Sequence, residues 1–213
     1  MIPRYSLYAH AFMVVVAALA LGWAANVTAD QFPATGQTTC WDSAGTVILC
    51  TSTGQDGDIQ AGATLRYKDK GDGTITDKKT KLRWEKKSND GTIHDVDNTY
   101  TWENAFAVHV ASLNTANFAG HNDWRLPNYK ELTSILNLEN FNPAVSPAFN
   151  TNCVADTTTV LTGSCTAASL YWSSTTVAFI PNGTWVVDFD NGLVGALDKG
   201  DNLHVRAVRG GSP

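Results

Sequence analysis

The amino-acid sequence predicts an α+β domain built on antiparallel strands. Three observations carry this. Short alternating strands with Gly and Asn turns lie on both sides of a central stretch, and that stretch holds two segments of helical spacing. Strands, then helices, then strands in 213 residues make one core with an appendage rather than two domains.

Taken in order, Arg4 and His10 precede an apolar run from Ala11 to Leu21, followed by small residues up to Ala29. That is the pattern of a signal peptide over residues 1–29, too short in its apolar part for a membrane span, so the exported chain keeps no stable span after cleavage. Residues 30–63 form an arm rich in Thr, Gly, Gln and Asp, with Thr-Gly-Gln at 35–37 and again at 53–55. The domain proper runs over 64–210, with 211–213 as a tail. Its first strands are Leu65–Lys68, Thr74–Thr76 and Leu82–Glu85, joined by tight turns into a meander.

Two main helices follow. Thr101 caps the first, whose Trp102, Ala105, Phe106, His109, Val110 and Leu113 share a face. Asn128 caps the second, Glu131 closes a capping box, and Leu132, Ile135 and Leu136 form the buried stripe. A long segment with Pro143 and Pro147 leads to strands at Leu170–Ser173, Thr184–Phe189, Leu193–Leu197 and Leu203–Val208, with an Asn191-Gly192 hairpin turn.

The four cysteines lie in the exported part, an even number in an oxidising compartment. Pairing by proximity joins Cys40 to Cys50 and Cys153 to Cys165, each bridge stabilising its loop by roughly 3 kcal/mol. The spacings contain no C-x-x-C, which argues against zinc and redox roles.

Composition excludes some partners. The chain is 43% hydrophobic and 16% charged with a net charge of −5, so it suits neither nucleic acid nor an anionic membrane surface.

Seven blocks, in order, resemble one bacterial family: Tyr67-x-Asp69-x-Gly71-Asp72-Gly73-Thr74-x-Thr76-Asp77, Leu82-x-Trp84-Glu85, Tyr100-Thr101-Trp102-Glu103, Asp123-Trp124-Arg125-Leu126-Pro127-Asn128, Tyr171-Trp172-Ser173-Ser174, Trp185-x-Val187-Asp188-Phe189 and Val205-Arg206-x-Val208-Arg209-Gly210. It is the family of the C-terminal domain of the Legionella collagen-like adhesin, and the resemblance covers about residues 64–210. It implies a fold like C-type lectin and formylglycine-generating-enzyme domains, with an antiparallel sheet, two main helices and long loops. It also implies a secreted or cell-surface role in adhesion, carbohydrate binding or self-association, in the periplasm or outside a bacterium. Three departures stand out: Lys81 replaces a usual turn Gly, His109 stands where Cys is common, and no collagen-like repeat is present.

Most motif residues read as structural. Trp84, Trp102, Trp124, Trp172 and Trp185 serve packing between elements. Arg125 and Arg206, among apolar residues, each span a buried carboxylate or loop carbonyls, with Glu131 a candidate partner, so Arg125→Ala would cost a few kcal/mol. Pro127 fixes the first helical turn, and Leu126, Ser173 and Arg209 complete the set. Asp188, Asp190, Asp198, Asp201 and Asn202 are candidate calcium ligands if the last strands bring them together, though they are also ordinary turn residues; no other cofactor is expected.

Catalysis finds less support. His94, His109, His121 and His204 belong to no Ser or Cys nucleophile signature, and His109 reads as a core residue. The expected function is binding a glycan or protein at a surface through the loops around Asp188–Asp201 and Cys153–Cys165. An enzyme or enzyme relic related to formylglycine-generating oxidases is the alternative.

Overall fold

The computed structural model describes residues 32–211. The signal peptide assigned to residues 1–29 therefore lies outside the described residues, as do the first two residues of the arm and the last two of the tail. Among the described residues no helix is long and apolar enough to cross a membrane.

The protein is α+β, with eleven strands in three sheets and a few short helices among the described residues. In the arm, β1 (Cys40–Trp41) and β2 (Val47–Ile48) form a hairpin closed by the Cys40–Cys50 disulfide. Helix α1 (Asp56–Ile59) follows, with Gly57 close against Thr39 and Cys40. The arm does not hang free: Leu138 N–H donates to Thr35 O, and the Thr38 and Thr39 amides both donate to Glu139.

The meander strands β3 (Tyr67–Asp69), β4 (Thr74–Asp77) and β5 (Arg83–Glu85) pair antiparallel, and β11 (Val208–Arg209) joins beside β5. The second sheet has the order β6 (Thr99–Tyr100), β10 (Leu203–His204), β7 (Leu170–Val177), β8 (Ile180–Asp188), β9 (Val194–Asp198). A single expected strand over Leu203–Val208 is thus two strands in different sheets. The chain crosses from one sheet to the other at Val205–Ala207, all three residues buried. At the crossing the Arg206 guanidinium replaces the missing ladder, donating to Glu85 O, Cys165 O and Thr166 Oγ1. Contact of β10 with β7 is parallel, so the sheet is not purely antiparallel.

The helices also differ in detail from the periodic expectation. Thr101 accepts from Asn104 N–H and starts α2 (Trp102–Asn104), but the next turns, Ala105–Val110, are π-helical before α3 (Ala111–Thr115) resumes. The wider turn puts His109 and Val110 both inward. Helix α4 (Tyr129–Thr133) carries the full capping box of Asn128 and Glu131. It ends earlier than the apolar stripe suggests, and Leu136 instead bridges Val145. Pro127 precedes the cap rather than filling the first turn, and its carbonyl accepts from Ser174 N–H.

The main core joins both large sheets: Ile75 and Trp84 from one, Tyr171 and Val187 from the other, with Leu132, Ile135, Phe149 and, just past β8, Phe189 packed with them. Phe149 meets Tyr67 and Trp84 edge to face. The Cys153–Cys165 disulfide staples the long segment, and Cys165 N–H donates to Lys87 O.

Candidate functional site

Two places concentrate groups able to do chemistry, one inside the domain and one at its junction with the arm. The inner one is built on the end of β5. Glu85, Lys86 and Lys87 are consecutive and all buried, because other elements close over them. Glu85 receives His109 Nε2 at 2.9 Å from the π-helical turn and His94 Nδ1 at 2.8 Å from the following loop. It also accepts the Ala207 amide at 2.9 Å, and Lys87 Nζ lies 3.5 Å away. Lys86 turns the other way and pairs with Asp69 at 2.7 Å.

The electrostatics follow from this cage. Burial opposes ionisation of Glu85, but His109, Lys87 and the hydrogen bonds hold its carboxyl well below the usual carboxylate range. Burial lowers His109 despite the attraction of Glu85. Its Nδ1 has no hydrogen-bond partner among the described residues, so a second proton there would be stranded. His109 is therefore neutral and donates through Nε2 to an ionised Glu85. Burial also lowers Lys87, with Glu85 opposing that shift.

A carboxylate with two imidazoles is what general acid–base chemistry uses. Here, however, Glu85 and His109 are fully covered, and neither lines the two clefts at the arm or the one beside β9.

The second place is the junction of arm and domain. Residues 32–35 run between two open clefts. One, of about 400 Å³, lies between the arm and the Asn137 and Ser146 region; the other, of about 590 Å³, is lined by Phe32, Leu82, Leu136 and Leu138 with Lys130 and Glu131 at its polar side. Gly36 fits against the domain only as glycine: its φ is +84°, and a Cβ there would lie 2.3 Å from Asn137 Oδ1.

The motif residues fall as follows. Trp84, Trp124 and Trp172 are buried, while Trp102 and Trp185 are half-buried. The indoles of Trp102, Trp124 and Trp172 donate to Ser173 O, Phe118 O and Tyr100 O. Leu126 and Ser173 are buried, and Ser173 Oγ donates to Trp185 O. Arg209 pairs with Asp123. Arg125 departs from expectation. It clamps Glu131 with two hydrogen bonds of 2.7 and 2.6 Å, but its side chain is 42% exposed, so the pair is not buried; Arg206 is the deeply enclosed arginine.

The acidic candidates for calcium do not converge. Asp188 ends β8 and Asp190 sits in the turn after it, whereas Asp198 pairs across from Gly183 at the far end of that strand, about 16 Å away at ~3.3 Å per residue. Asp188 and Asp198 accept from nearby turn amides, Asp190 N–H and Gly200 N–H. Asp201 and Asn202 follow Asp198 at that far end. Among the described residues, no group of three or more His, Cys, Asp or Glu is placed to hold a metal ion.

Sequence reasoning missed Glu85, His94 and Lys87 as one cluster, and it missed the arm cleft. The one local signal was three charged residues directly after the apolar Leu82 and Trp84, which reads as a solvated strand end. With this geometry in place, comparison with protein families finds that residues 73–209 match the Lcl C-terminal domain, leaving the arm and β3 outside the match. No curated protein matches the chain.

Proposed function

The chain belongs to the Lcl C-terminal domain family, and from that membership we propose that it works as an exported surface-interaction module, adhesin-like, that binds uncharged glycans or a protein partner without turning them over. The observation that carries this reading is the separation of its reactive groups from its surface. Glu85 holds His109 Nε2 and Lys87 Nζ inside the domain, Arg206 is enclosed beside them, and the two clefts at the junction are lined by other residues. A polyanionic ligand fits less well. The chain has a net charge of −5, and sulfate recognition relies on clustered arginines and lysines. Arg83, Arg125 and Arg209 already bind Asp72, Glu131 and Asp123.

An oxidase of the formylglycine-generating kind needs a reactive thiol, and the cysteines are joined as two disulfides with no free thiol among the described residues. Both bridges also support export to the periplasm, the cell surface or the medium.

The test is binding of the labelled chain to fixed cells and to a glycan array, with calcium and with a chelator. Saturable binding in either format is the expected result. Absence of binding in both would overturn the proposal.

A further inference from the structure

We infer that the smaller cleft at the junction is a binding site for an uncharged, polyhydroxylated ligand, a neutral saccharide, and that the arm supplies one wall of it. This rests on the surface-interaction reading and adds the place and the ligand class.

The cleft holds about 400 Å³, within the size range of small-molecule sites. Its lining contains no charged residue. Gln37, Thr38 and Gln60 face it from the arm, and Thr64, Asn137 and Ser146 from the domain. These side chains offer amide and hydroxyl groups that both donate and accept, which is what a ring bearing several hydroxyls requires. An anion would find no cation here, and a purely apolar ligand would leave the amides unpaired at a cost.

Several of these groups are uncommitted. The half-buried Gln37 carboxamide and the Thr64 hydroxyl have no side-chain hydrogen bond among the described residues, and Gln60 uses only Nε2, toward Gly57 O. Tyr67, Pro147 and Ala148 supply an apolar floor, and Tyr67 is fixed by Phe149 at 4.8 Å and by its hydroxyl on Ser134 O. Such a floor suits the C–H face of a sugar.

The wall formed by the arm is held before any ligand arrives. Glu139 receives both Thr38 and Thr39 amides, Thr35 O receives Leu138 N–H, and Gly36 lies against Asn137 with no room for a side chain. A wall already in place spares the ligand the cost of ordering it.

The test titrates the full exported chain with a panel of neutral tetrasaccharides built from glucose, galactose, mannose and N-acetylglucosamine, read by backbone amide NMR shifts and calorimetry. At least one is expected to bind and to shift the amides of residues 35–38 and 146–148. Gln37→Ala with Thr64→Ala should weaken it at least tenfold, while Asp201→Asn, in the loop at the far end of β9, leaves it unchanged. Binding unaffected by the double substitution, or abolished by Asp201→Asn, overturns the location while leaving the surface-interaction reading intact. If no tetrasaccharide binds, the ligand class is wrong; retained binding to fixed cells then preserves the broader reading, and its loss removes both. Unchanged amide dispersion in each variant shows that folding is not the cause.

Discussion

Breaking the contacts of Glu85 should cost the fold more than breaking an arginine pair at the surface. Glu85→Gln keeps its shape but leaves Lys87 buried beside a neutral amide. Urea unfolding should show a loss of about 3–5 kcal/mol, the usual cost of breaking a buried pair. Arg125→Ala opens a pair half exposed to water and should cost no more than about 1 kcal/mol. Equal losses would mean that the cage around Glu85 is not what distinguishes them. Acid acts on the same cage. His109 has a folded pKa below its ordinary 6.5, so the unfolded chain takes up that proton first, and stability starts to fall as pH drops below about 6.5. Glu85 lies well below 4.5 in the folded state, so its contribution is complete above about pH 4.5 and is lost beneath it. Thermal midpoints measured from pH 8 to pH 3 should therefore decline in two stages, and a midpoint that rises between pH 7 and pH 5 would contradict this.

At the scale of elements, the turn between β4 and β5 holds Lys81 at φ +63°, where a side chain costs about 1 kcal/mol and glycine does not. Lys81→Gly returns part of that as flexibility of the unfolded chain, so unfolding should show a net gain of about 0.5 kcal/mol. Removing the Cys153–Cys165 bridge by a double Ser substitution should cost about 3 kcal/mol, checked by the same unfolding measurement. Local chemistry made much of this legible. The caps at Thr101 and Asn128, the turn at Lys81 and the two short-range cysteine pairs each depend on residues within a dozen positions. What stayed hidden depends on distant partners. Arg206 breaks an apparent strand because its acceptors sit 121 and 41 residues away, and Leu136 leaves its helix to meet Val145. Glu85 reads as a solvated end until His109 and Ala207 cover it, and the arm cleft needs Gly36 and Asn137 brought together across the fold.

For the molecule as a whole, the acidic balance predicts weak retention on heparin, lost near physiological salt, where the screening length is about 8 Å. Retention that persists there and disappears when Lys78, Lys79 and Lys81 become Gln would overturn this; Arg83 is left in place because it binds Asp72 and His121. The crossing at Val205–Ala207 has a consequence in time. Trp84 and Glu85 gain their edge partner and their last hydrogen bonds from Val208, Ala207 and Arg206, about 120 residues later in the chain. Closure over so long a separation is slow compared with hairpin formation. A polypeptide threaded through a membrane pore from its N-terminus would thus remain pliable until residue 209 had passed, and would lock only on the far side.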